Sequence, residues 1–232
     1  MYSIYKKIVI QYSKKANIYL RGDCMEGLFT IGHSRHNVDY FLELIERYQI
    51  NYLLDVRSNP YSKYAPQFNK ENINSILQNN KIKYSFMGNY FGARPSDLKL
   101  YNRAGYLDFE KVRDSYKFNK GLENVLLGLS KGNRIALMCA EKDPIDCHRA
   151  ILVARGFELY GIDAEHILEN GSIQTQKKLN DRLLQMYFPD YGQLSLFDFD
   201  NPKDKCEYLQ EAYKLRNKEI GYQIYNKLKV GI

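Results

Sequence analysis

Nowhere in these 232 residues does an unbroken apolar run approach the roughly 20 residues that a bilayer-spanning helix needs. The amino terminus also lacks a charged head followed by an apolar stretch and a cleavage site. A membrane segment and an export signal are therefore not expected, and the cytoplasm is the expected compartment. Cysteine is scarce as well. Cys24, Cys139, Cys147 and Cys206 are too few and too scattered for a disulfide framework, and none falls in the tight C-x₂₋₄-C pairs usual at zinc. Reduced thiols follow. No internal repeat is present, so one substantial α/β domain with extensions accounts for the length.

Positive charge is there in excess. The chain carries 34 Lys and Arg against 27 Asp and Glu, a formal charge of +7. The excess sits at the ends: residues 1–27 hold five basic against two acidic groups, residues 201–232 seven against four, and residues 28–200 hold 22 against 21. Such ends suit arms that touch nucleic acid, and equally a solvated surface.

Strand and helix periods alternate along the middle of the chain. Leu28-Phe-Thr-Ile31 reads as a first strand, Val38 to Tyr48 as a helix with Asn37 as its cap, and Tyr52 to Val56 as a second strand. Asn69 begins a helix running to about Asn79, Ile82 to Phe86 alternates as a third strand, and Phe109 to Ser130 carries another helix. Ile135 to Met138 is a short apolar run of the kind buried on both faces of a parallel sheet. A helix over Ala150–Tyr160, a fifth strand at Ala164–Leu168 and an amphipathic helix over Gln174–Tyr187 complete the pattern. The expected architecture is α/β: an open, mostly parallel sheet of about five strands with helices on both faces. Residues 1–25 form an N-terminal extension, 26–188 the domain, and 189–232 a C-terminal tail in which Lys203–Lys229 adds a basic helix.

Four strands end in polar residues: Gly32-His33-Ser34, Asp55-Val56-Arg57-Ser58, Gly88 to Arg94, and Cys139 to Arg149. The carboxyl ends of parallel strands lie along one edge, and ligand sites form there. Candidate catalytic residues are therefore Cys139, Glu141, Cys147, His148 and His33. Either thiol could act as nucleophile, and Glu141 or a histidine as proton acceptor. Cys147, His148 and Arg149 lie near a helix start, where unpaired N–H groups favour anions and thiolates. Arg57 and Arg149, with Ser34 and Ser58, are candidates for holding a phosphate or carboxylate. Asp55 serves either in a proton relay or in a structural ion pair. Equally, both cysteines could be small buried hydrophobes. A zinc site from His33, Cys139, Cys147 and His148 is chemically open, but nothing in the spacing demands it, so no metal or other cofactor is assigned.

Thr30-Ile-Gly-His-Ser34, Asp55-Val-Arg-Ser-Asn-Pro60, Phe68-Asn69, and Met138-Cys-Ala-Glu141 with Cys147-His-Arg149 together resemble the signature of the bacterial domain of unknown function 488 family, over about residues 26–187. The resemblance implies an α/β fold with a parallel sheet and a soluble prokaryotic protein. It supplies no agreed reaction. Further on, Gln193-Leu194-Ser195-Leu196-Phe197 resembles the pentapeptide by which many bacterial replication and repair proteins dock on the sliding clamp, with Leu and Phe filling an apolar pocket and Gln193 anchoring the peptide. The same apolar residues could instead pack back onto the domain. The leading expectation is an enzyme acting on a phosphate-bearing substrate, nucleic acid or nucleotide. The alternative is a non-catalytic DNA- or nucleotide-binding module recruited to the clamp.

Overall fold

A computed structural model of the chain describes residues 27–191 and 204–224. Strand β1 (Gly27–Gly32) is buried along its whole length. Helix α1 (Val38–Arg47) starts where Asn37 accepts the Asp39 N–H at 3.0 Å. It buries Phe41, Leu44 and Ile45, each worth about 1.5–3 kcal/mol relative to exposure. After β2 (Tyr52–Asp55) comes α2 (Lys70–Asn79). Asn69 stands at its cap position, but its side chain receives the Ser62 N–H instead, at 2.7 Å, tying the preceding loop to the helix. Strand β3 (Lys83–Phe86) and the short α3 (Gly88–Phe91) follow.

Where one helix is expected over 109–130, two form: α4 (Phe109–Asp114) and α5 (Tyr116–Leu129). Ser115 makes the break. Its hydroxyl donates to Val112 O at 2.7 Å and accepts from Phe118 N at 3.3 Å, so the side chain competes with the helical ladder and caps α5. Strand β4 (Arg134–Cys139) leads to a π-type stretch, Arg149–Ala154, that passes into α6 (Arg155–Glu158). Strand β5 (Glu165–Ile167) is followed by a sixth strand, β6 (Ile173–Thr175), and by α7 (Gln176–Tyr187), capped by Thr175. Gln174, expected in that last helix, pairs across from His166 in β6.

The sheet order is β3-β2-β4-β1-β5-β6, parallel throughout except for the β5–β6 pair. Alternate residues feed opposite faces. Phe29, Ile31, Leu53, Ala136 and Met138 join α1 and α2 in one core, while Leu28, Leu54, Ile135 and Leu137 join the residues of α4, α5, the π stretch and α7 in the other. Strand β4 inserts between β1 and β2, in register Gly32 with Cys139 and Asp55 with Met138. The carboxyl ends of the three central strands are therefore neighbours.

Helix α8 (Lys205–Ile220) opens with a capping box from Asp204 and Glu207 and buries Ala212, Tyr213 and Asn217. Asn217 accepts from Phe109 N at 2.9 Å and donates to Leu107 O at 2.8 Å, so the helix shares the domain's core. No described helix is long and apolar enough to cross a membrane. Residues 1–25 and the clamp-like segment Gln193, Leu194, Ser195, Leu196 and Phe197 lie outside the described residues.

A buried polar chain crosses one side of the sheet. His166 Nδ1 lies 2.8 Å from Thr30 Oγ1 and Nε2 lies 2.9 Å from Gln176 Oε1, while Gln176 Nε2 donates to the Tyr213 hydroxyl at 2.7 Å. Burial, helped by the charge of Arg149, holds the His166 pKa down to about 3. The ring is neutral in the fold, whereas the unfolded chain takes up a proton near pH 6.5. Its contribution to stability is therefore complete above pH 6.5 and is lost as pH falls toward 3. Urea unfolding measured between pH 6.5 and 4 should show a loss of up to about 1.4 kcal/mol per pH unit from this residue, and His166→Gln should flatten that slope. An unchanged slope would mean that His166 ionises inside the fold.

Candidate functional site

Four side chains meet beyond the end of β4. Cys139 closes the strand, Glu141 follows two residues later, and a tight turn at Pro144–Asp146 brings Cys147 and His148 back toward them. Glu141 Oε2 lies 2.8 Å from Cys139 Sγ and 2.9 Å from Cys147 Sγ. His148 Nδ1 lies 3.6 and 4.0 Å from the same two sulfurs. Its other nitrogen, Nε2, lies 3.0 Å from Val56 O just beyond β2, which fixes a proton on Nε2 and leaves Nδ1 turned to the thiols. Cys139 and Cys147 are 2% and 1% exposed, so no surface thiol chemistry is on offer. Glu141 is exposed as a residue, but its carboxyl group is turned in between the sulfurs.

The electrostatics distinguish the two thiols. Burial pushes the Cys139 thiol well up, and the negative charge of Cys147 beside it adds to the effect. Burial would raise Cys147 too, but a hydrogen bond from Cys139 and the charges of Arg149 and His148 outweigh it and hold this thiol well below its ordinary value. The surroundings of Cys147 thus favour a thiolate more than those of Cys139 do. Burial and the neighbouring Cys147 raise the Glu141 carboxyl, and contact with Cys147 raises His148 against the effect of its burial.

A second cluster stands beside the first. The Arg57 guanidinium binds Asp55 through both arms, Nε to Oδ1 at 2.9 Å and Nη2 to Oδ2 at 2.6 Å. Nη2 also donates to Phe68 O at 2.8 Å, and Nη1 donates to His33 Nε2 at 3.2 Å. His33 Nδ1 donates to Ser34 O at 2.9 Å, and the ring stacks on Phe68 with centroids 4.4 Å apart. With both nitrogens engaged, burial and the Arg57 charge lower the His33 pKa to about 4. Of the zinc set open to the sequence, His33 is therefore turned away, and Glu141 stands with Cys139, Cys147 and His148 in its place. Tyr84 of β3 donates to Asp55 Oδ2 at 2.9 Å, a partner that strand alternation alone does not reveal.

Neither arginine presents its guanidinium to solvent. Arg57 is 6% exposed and Arg149 0%. Arg149 donates from Nη1 to Glu141 O at 2.6 Å and from Nη2 to Lys142 O at 3.1 Å, while its Nε has no partner. Its backbone N–H points at Cys147 Sγ, 3.4 Å away. These side-chain acceptors are carbonyls, so the charge is not cancelled by a paired carboxylate and favours the thiolate beside it. Ser34, at φ 46°, lends its N–H to Ala140 O at 2.9 Å, and Ser58 is half-buried. Ser34 thereby ties the chain beyond β1 to the chain beyond β4.

Two residues that sequence reasoning missed hold the cysteine loop from outside. Arg182 of α7 pairs with Asp143 at 2.8 Å, and Arg216 of α8 donates to Ile145 O at 3.0 Å and pairs with Asp146. No local pattern links those helices to the loop. A hollow of about 460 Å³ lined by Tyr52, Asn74, Gln78, Lys81, Ile82, Lys83 and Tyr84 opens at the amino ends of β2 and β3, and Tyr84 is the lining residue it shares with the Asp55–Arg57 cluster.

A family model described as domain of unknown function DUF488 matches residues 37–155, just over half of the chain. No curated protein and no solved structure matches it. The matched span contains Asp55, Arg57 and the whole run from Cys139 to Arg149, while β1 and His33 lie before it. The chain belongs to the DUF488 domain-of-unknown-function family.

Proposed function

We propose that this protein is an enzyme acting on a phosphate-bearing substrate, a nucleotide or nucleic acid, by proton-transfer chemistry of the hydrolytic type at the Cys139, Glu141, Cys147 and His148 cluster. The observation that carries this reading is the position of Glu141 Oε2, within 2.9 Å of both sulfurs while His148 Nδ1 faces the same pair. A carboxyl group whose pKa is raised by burial, on a residue that itself reaches the surface, is a better proton acceptor than a freely solvated one. The site lies beyond the carboxyl ends of central parallel strands, where α/β sheets bind their ligands. Support for an anionic substrate is electrostatic. Arg149 sends a positive charge with no paired carboxylate into the loop, and the basic excess at the two ends of the chain suits a polyanion.

The test is a panel of nucleotides and single- and double-stranded oligonucleotides incubated with the full chain, with products identified by mass spectrometry. Turnover of at least one member is expected, and Glu141→Gln should reduce it by about 10²–10⁴-fold without changing the thermal midpoint. Binding without turnover would replace the enzyme by a non-catalytic binding module.

A further inference from the structure

We propose that Cys139, Cys147 and His148 hold a divalent ion of the zinc class, with Glu141 at its outward side. The inference deepens the proposed function, since it rests on the same cluster being the reaction centre. Among the described residues this is the one group of Cys, His, Asp or Glu side chains whose donor atoms converge in this way, all within 4.8 Å of one another.

The spacing is that of a tetrahedral ligand shell. Zinc–sulfur bonds of about 2.3 Å and a zinc–nitrogen bond of about 2.0–2.1 Å place a sulfur and a nitrogen roughly 3.6 Å apart across a tetrahedral angle. His148 Nδ1 lies 3.6 Å from Cys139 Sγ and 4.0 Å from Cys147 Sγ. Glu141 Oε2, at 2.8 and 2.9 Å from the sulfurs, is nearer than a fourth ligand would sit. It therefore withdraws to ligate weakly, or stays outside the shell beside a bound water. Either way the three enclosed donors are fixed and the exchangeable position faces the exposed residue.

Two further features point the same way. His148 donates its other ring nitrogen to Val56 O at 3.0 Å, the outer contact that metal-bound imidazoles almost always make, and this holds Nδ1 toward the sulfurs. Arg149 supplies both a buried positive charge and a backbone N–H aimed at Cys147 Sγ, groups that favour sulfur in its anionic, ligating form. Two thiolates and an imidazole suit zinc, whereas magnesium and calcium prefer oxygen shells. Binding releases the thiol protons to solvent, so occupancy should weaken as pH falls.

The experiment uses the full chain, expressed with zinc in the medium, exhaustively washed and analysed for metal by mass spectrometry. About one equivalent of zinc per chain is expected. Chelator-stripped protein titrated with cobalt(II) should develop the intense visible bands of a tetrahedral thiolate site. Cys147→Ser and His148→Ala should lose the metal and the bands. Cys206→Ser, at an exposed position of α8, should keep both. Substoichiometric metal together with no cobalt spectrum in stripped wild-type protein, still folded by near-ultraviolet circular dichroism, would overturn the inference, and this arm does not depend on any variant folding. The two readings fail separately. Turnover by wild-type protein that takes up neither zinc nor cobalt would sink the metal and leave the reaction centre, while tight zinc with no turnover across the substrate panel would do the reverse.

Discussion

Asp55→Ala is expected to lower the unfolding free energy by about 3–5 kcal/mol, because it leaves a buried guanidinium without its counter-charge. Asp55 is 0% exposed and its partner Arg57 6%, so water cannot take over the role of the carboxylate. Four donors lose a carboxylate acceptor at once: the Arg57 backbone N–H, Arg57 Nε, Arg57 Nη2 and the Tyr84 hydroxyl. The loss should spread to the loop carrying Phe68, since Arg57 also holds Phe68 O, and Phe68 in turn stacks on His33. The pair itself need not be a large net stabiliser, because two charges had to leave water to make it. Asp55→Leu combined with Arg57→Met should therefore recover most of the stability that Asp55→Ala loses. Urea unfolding at pH 7 of the three proteins gives the answer. A loss under about 1 kcal/mol in Asp55→Ala would show that Arg57 finds another partner.

That cluster also shows how far strand chemistry can be read from a one-dimensional chain. Apolar runs such as Leu28–Ile31 and Ile135–Met138 announce central strands because both faces of the sheet are covered, and the polar residues that stop them mark the edge that carries the candidate site. Strand order is another matter. That β4 lies between β1 and β2 depends on long-range pairing, which no local period encodes. Strand β6 was hidden for a different reason: it is three residues long and runs straight into the cap of α7. Helix α8 is legible as a helix but not as part of the core, since two of its three buried residues, Tyr213 and Asn217, are polar and are held by hydrogen bonds rather than by an apolar stripe.

At the site, residue types and neighbourhood were legible, while partners were not. The strand-end rule brings His33, Arg57, Cys139 and Arg149 to one edge. It cannot say which way a ring or a carboxylate turns. His33 belongs with Arg57, and Glu141 takes the place beside the thiols, because Ser34, in its left-handed turn, offers a carbonyl to Nδ1 and Arg57 fills Nε2. The arginines mislead for a related reason. A guanidinium invites a phosphate in the mind of the reader, but backbone carbonyls are equally good acceptors and leave no trace in the sequence. Arg149 spends its fork on the carbonyls of Glu141 and Lys142, and what remains for function is its charge.

The same carbonyl makes Gly32 the least replaceable glycine of the edge. A Cβ on Gly32 would fall far inside the contact distance of Glu141 O and 3.2 Å from Arg149 Nη1. The oxygen cannot drift aside, for Arg149 grips it at 2.6 Å, while His33 N and Ser34 N hold the carbonyls of Cys139 and Ala140, each at 2.9 Å. Gly32→Ala must therefore peel the end of β1 from β4 or push out the loop that carries Glu141. Overpacking of this kind costs about 1–3 kcal/mol, and the upper end is expected here because the clash is with backbone. Gly132→Ala is the contrast. It sits at φ +76° with nothing within 4 Å, so it should cost only about 1 kcal/mol of local strain and leave the edge untouched. Reactivity of the cysteines toward a thiol reagent separates the two. In the wild type and in Gly132→Ala only exposed Cys206, among the cysteines of the described residues, should react quickly, whereas Gly32→Ala should open Cys139 and Cys147 as well. If Gly32→Ala unfolds within about 0.5 kcal/mol of the wild type and keeps both thiols shielded, the edge is softer than this packing allows.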